Sequence, residues 1–71
     1  MNDVAADIEN WFRYHAPTGD QPARYGAVRD AAKSLALVIA ANCPASADRT
    51  AAFRKLRETV MTANASIALE G

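Results

Sequence analysis

Between Phe12 and Lys33 the chain reads FRYHAPTGDQPARYGAVRDAAK, and this stretch holds both tyrosines, the only histidine and four of the eight cations. Aromatic rings stack on nucleobases, while guanidinium and ammonium groups pair with phosphate oxygens. Tyr25, Arg29 and Lys33 stand at i, i+4 and i+8, so a helix carries all three along one slowly drifting flank. Arg24 lies beside that line. Arg13, Tyr14 and His15 lead into HAPTGDQ, a Pro/Gly segment that reads as a loop. A folded loop brings these groups to one end of the molecule, and the ligand they suit is a compact anionic nucleotide. Plainer roles stand beside that one. Tyr25 also fits a core aromatic with a wet hydroxyl, Tyr14 and His15 the closing of a helix, and Arg29, Asp30 and Lys33 a solvated face.

Catalytic chemistry is harder to assemble. The one nucleophile pair that can be written is Cys43 with His15, and Cys43, just before Pro44, reads better as a buried structural thiol. The acids show no glycosidase spacing, and no glycine-rich phosphate loop occurs. His15 and Cys43 lack the further ligands that a metal site needs. The expectation is a binding protein without enzymatic activity, metal or cofactor.

Seventy-one residues make one domain, 1–71, whose single core supplies only a few kcal/mol. A lone cysteine rules out an intrachain disulfide, so self-association is the remaining way to add stability. The net charge of zero argues against DNA binding. The charge is unevenly placed, however: Asp3, Asp7 and Glu9 precede the first cation, and the middle of the chain is basic. The acidic N-terminus lacks the pattern of a signal peptide, and LALVIAA at 35–41 is too short to span a bilayer. A cytoplasmic protein is expected.

Three helices must position these groups, over about 3–13, 21–42 and 47–69. Asn2 is placed to cap the first, along which Val4, Ile8, Trp11 and Phe12 recur as packing residues. Asp20 is placed to cap the second, with Pro22 in its first turn and a seam of Tyr25, Val28, Ala32, Leu35 and Ile39. Pro44 ends it by disfavouring helical geometry at Cys43. Ser46 caps the third, whose seam is Phe53, Leu56, Val60, Ala63 and Ile67. The matched seams predict an antiparallel hairpin of helices about 33 Å long. Leu37 and Val38 lie off the seam, as do Met61, Ala65 and Ala68 on the third helix, so apolar surface remains for other copies to cover. Asn64 fits either a buried polar contact between subunits or a wet edge. Arg54, Lys55 and Arg57 are expected to face solvent.

The order of these residues resembles a known family. YHAP at 14–17, Asp20-Gln21, Arg24-Tyr25, Val28-Arg29, Ala32-Lys33 and Leu35-Ala36 form one block. Cys43-Pro44 with Ser46 forms a second, and Val60-Met61, Ala63-Asn64-Ala65 and Ile67-Ala68 form a third. Together, over about 12–70, they resemble the small phage proteins that act as anti-CBASS cyclic-nucleotide sponges, the second such family described.

That resemblance implies an all-helical protein assembled as a compact homohexamer. It implies binding of cyclic dinucleotides such as cyclic GMP–AMP without cleavage; some members also take cyclic trinucleotides at separate sites. The messenger activates an abortive-infection effector, and sequestering it in the cytoplasm of the infected bacterium keeps that effector silent. A tyrosine near the first loop and a basic residue on the next helix contact the dinucleotide across neighbouring subunits. By position these are Tyr14, with Lys33 or Arg29 and then Arg24 for the phosphates; His15 and Tyr25 rank second. Thr62 stands where the family pattern often has an aromatic, a departure that bears on the trinucleotide site. The rival reading is a helical adaptor or inhibitor that docks on a protein through its apolar face. A phosphodiesterase that destroys the messenger is the third.

Overall fold

The computed structural model describes residues 3–70. Three helices follow one another, α1 (Val4–Trp11), α2 (Gln21–Asn42) and α3 (Ala47–Ala68), with no strand among the described residues. The fold is all-α, and α2 and α3 pair as a hairpin while α1 packs against neither.

Local chemistry explains where each helix starts and stops. The carboxylate of Asp3 accepts the Ala6 amide at 3.2 Å and caps α1; the cap expected at Asn2 lies outside the described residues. α1 ends at Trp11. That end is closed by His15, whose Nε2 lies 2.6 Å from the Asn10 carbonyl. A carbonyl only accepts, so Nε2 carries the hydrogen. Gly19 then adopts φ +57°, and the Gln21 amide donates to the Thr18 carbonyl at 3.0 Å to close the turn into α2.

Asp20 holds the N-cap position of α2, but its side chain makes no capping bond. That corrects the expected role: the carboxylate instead accepts from the Arg24 guanidinium at 3.4 Å. At the far end Cys43 is extended (φ −108°, ψ 132°), as the following proline requires. Its thiol is exposed, not the buried group that the sequence suggested. Ser46 Oγ accepts the Arg49 amide at 3.1 Å and donates to the Pro44 carbonyl at 3.1 Å. Arg49 donates to the Cys43 carbonyl at 3.2 Å and lies 5.9 Å over the Phe53 ring. One arginine thus ties the connector to the start of α3.

The open end of the hairpin is latched by two residues of α2. Gln21 is buried, donating from Nε2 to the Ile67 carbonyl at 3.0 Å and accepting the Thr18 amide at 3.0 Å. One turn on, Arg24 donates through both terminal nitrogens to both Glu70 oxygens, each at 2.6 Å. Between latch and connector the α3 seam faces inward as expected, with Phe53, Leu56, Val60 and Ala63 half-buried and Ile67 buried. The α2 seam is rotated. Leu35 is 49% exposed, and Ala36 turns inward with Ala32 and Ile39, because small side chains let the two backbones approach.

The chain on its own is short of cover. Its radius of gyration is 15.7 Å, against about 11 Å for a compact domain of this length. Its accessible surface is 5610 Å², roughly 1,300 Å² above the expectation for a folded monomer of its mass. Trp11 and Phe12, read as packing residues, stand open to solvent, as do Leu35, Leu37, Val38 and Met61. The Oδ1 of Asn64 is buried without a partner.

Candidate functional site

The sequence singled out six residues, and the fold sorts five of them into two groups, with half-buried Tyr25 apart. Arg24 and His15 are engaged within the chain. Both faces of the Arg24 fork are held, by Glu70 and, at greater length, by Asp20. The Glu70 hydrogen bonds push the guanidinium pKa up, and the same bonds pull the Glu70 carboxyl below its ordinary value. His15 closes α1 on the Asn10 carbonyl, the plainer of its two expected roles.

Tyr14, Arg29 and Lys33 are uncommitted. The Tyr14 ring is 86% exposed, held out by the segment between α1 and α2. Neither Arg29 nor Lys33 forms an ion pair among the described residues. The Arg29 guanidinium folds back over Gly26, where an added Cβ would sit 3.6 Å from its Nη2 and meet nothing else. Gly26 thus leaves a notch on the flank of α2 that the unpaired Arg29 side chain covers. Arg29 stands about 12 Å along α2 from Gln21, and Lys33 about 18 Å. Tyr25, at the start of this flank, is half-buried.

Lys33 also borders a groove of about 370 Å³ between α2 and α3, lined by Ala32, Ala36, Leu56, Arg57, Val60 and Met61. Its floor is aliphatic and its charged lining residues are Lys33 and Arg57. Arg57 was expected only to face solvent; it is exposed, yet the pairing of the helices sets it across the groove from α2. No local pattern marks that position, because it depends on which α2 residues lie opposite.

The fold keeps the one candidate nucleophile pair apart. His15 precedes α2 and Cys43 follows it, so a helix about 33 Å long stands between the only two residues that could form a thiol–imidazole pair. Among the described residues no group of His, Cys, Asp or Glu could hold a metal ion. Among the same residues no helix is long and apolar enough to cross a membrane.

Comparison with known proteins agrees with this reading of the hairpin. The family model described as Acb2/Tad1, hairpin domain, matches residues 5–68, which takes in all of α2 and α3 and nearly all of α1. No curated protein and no solved structure gives a significant match. With nine-tenths of its length covered by that model, the chain belongs to the Acb2/Tad1 hairpin family, the family of anti-CBASS sponges.

Proposed function

We propose that this protein binds cyclic dinucleotides, of which cyclic GMP–AMP is the first to try, and holds them uncleaved in the cytoplasm of an infected bacterium. The observation that carries the reading is that Tyr14 is exposed and that Arg29 and Lys33 have no ion-pair partner among the described residues, in a chain of a sponge family. Tyr14 stacks on a base, and Arg29 pairs with the phosphates beside the notch at Gly26. Lys33 is the other free cation on that flank. Arg24 belongs to the latch instead, since a phosphate would have to displace Glu70.

A sponge needs slow release and no chemistry at the ligand. Walls contributed by two chains serve that need, because excluding water strengthens each charge-assisted bond to the phosphates. The extended shape and open apolar surface of the single chain support a closed homo-oligomer, and a homohexamer is the assembly we propose. Cyclic trinucleotides are the second ligand class this reading carries. We assign them no residues: Thr62, in place of the family's aromatic, donates its hydroxyl to the Glu58 carbonyl at 3.0 Å.

Incubation with cyclic GMP–AMP, heat denaturation and chromatography of the released nucleotide tests the reading. Recovery of intact messenger in proportion to protein supports it, and a linear or hydrolysed product means a phosphodiesterase. The adaptor reading is favoured by the open apolar face of α1, and a protein that binds no nucleotide returns to it.

A further inference from the structure

We propose that α1 of one copy seats its apolar face in the α2–α3 groove of a second copy, with its acids towards Lys33 and Arg57. Three observations on separate parts of the molecule carry this. The first concerns α1 itself. It has 8 residues, and an isolated helix shorter than about 12–15 residues is marginal in water, so it needs a surface to lie on. Its own chain offers none, since α1 packs against neither α2 nor α3. Val4, Ile8 and Trp11, at i, i+4 and i+7, are 62%, 45% and 53% exposed.

The second is charge. Asp3, Asp7 and Glu9 are the only charged residues before Arg13, so α1 is purely acidic. The groove is aliphatic along Ala32, Ala36, Leu56, Val60 and Met61, and its two charged residues, Lys33 and Arg57, are both cations. Neither has an ion-pair partner among the described residues. An acidic amphipathic helix and a groove bordered by cations complement each other in polarity and in sign.

The third is area. The surplus of roughly 1,300 Å² per chain over a compact monomer exceeds the roughly 800 Å² that each partner gives up in a stable interface of about 1,600 Å² in total. Mutual exchange of α1 covers the helix face and the groove together, and Met61, 60% exposed, extends the covered floor. The docking stands without the nucleotide reading. If that reading also holds, Tyr14, three residues beyond Trp11, is carried onto the neighbouring copy, and Lys33 is engaged by α1, leaving Arg29 as the phosphate-binding cation.

The test is a disulfide between two differently tagged full-length chains, both carrying Cys43→Ser. One has Ile8→Cys and a larger tag; the other has Met61→Cys. They are mixed, refolded together and oxidised. The expected main product is the mixed dimer. Like-with-like dimers alone, or monomers alone, overturn the proposal, as does an intrachain bridge alone in the double variant Ile8→Cys/Met61→Cys. Arg57→Glu, an exposed change, guards against misfolding: helix content should be kept while the apparent mass falls towards the 7.6 kDa monomer. Unchanged assembly of Arg57→Glu contradicts the charge matching.

Discussion

Arg24 and Glu70 face each other fork to fork, two bonds of 2.6 Å joining the first turn of α2 to the residue that follows Leu69 at the end of α3. The pair lies 46 residues apart in sequence and sits directly beyond the Gln21–Ile67 bond, so the two together hold the open end of the hairpin. It also takes Arg24 out of the set of unpaired cations. An arginine occupied on both prongs leaves the flank of α2 to Arg29 and Lys33.

The Glu70 carboxyl lies below its ordinary value of 4.5, chiefly because Arg24 hydrogen-bonds its charged form. A depressed carboxyl stabilises the fold at any pH above the unfolded value, and the stabilisation is lost as pH falls through the lower folded value. Thermal melts of wild type and Glu70→Gln should therefore differ at pH 7 and converge as the pH drops below about 4. A gap that stays constant down to pH 3 means the latch does not depend on the Glu70 charge.

Gln21 uses both ends of its amide in a buried place. Gln21→Leu leaves the Ile67 carbonyl and the Thr18 amide without their side-chain partner, at a cost of about 1–3 kcal/mol. Urea denaturation should show the midpoint falling with little change in slope. A loss under about 0.5 kcal/mol means that the end of the hairpin relaxes or admits water.

The two described glycines should respond in opposite directions. Gly19 sits at φ +57° in open space, so Gly19→Ala strains the backbone by about 1–2 kcal/mol. Gly26 is helical, and its added Cβ would meet only the end of the Arg29 side chain. Gly26→Ala should stabilise the isolated fold by about 0.5–1 kcal/mol. It should also weaken nucleotide binding if the notch admits the ligand. Melting curves with and without cyclic GMP–AMP separate the two effects.

At the proposed site, Tyr14→Ala removes a stacking face of about 1–3 kcal/mol per base. Arg29→Ala removes a charge-assisted bond of about 1.5–3 kcal/mol. Tyr14→Phe keeps the face and should bind nearly as well as wild type. Calorimetry on the four proteins checks the order, with mass measured in parallel to confirm that assembly survives. Normal binding by both alanine variants moves the site elsewhere.

Much of the hairpin was legible because its signals are local. Pro44 sets Cys43 extended, Ser46 caps α3, and the spacing of Phe53, Leu56, Val60 and Ile67 draws one inward face. The facing of α2 was not legible. From Ala31 to Ala41 only Lys33 and Ser34 are polar, so periodicity could not choose between Leu35 and Ala36 for the inner position; close backbone approach chose the alanine. For the site, residue types drew attention to Tyr14, His15, Arg24, Tyr25, Arg29 and Lys33 alike, and only the family resemblance put Tyr14 with Lys33 or Arg29 first. What Arg24 and Arg57 do depends on partners on the other long helix, and spacing along one helix carries no trace of that.

The central claim is that the chain binds a cyclic dinucleotide between copies of itself. Calorimetric titration of the purified protein with cyclic GMP–AMP, with its mass determined in the same buffer, tests it most directly. The account predicts an assembly well above 7.6 kDa and saturable heat at fewer than one ligand per chain. Absence of heat across cyclic di- and trinucleotides contradicts it, and the aromatic and basic groups of 12–33 then belong to a solvated helix end.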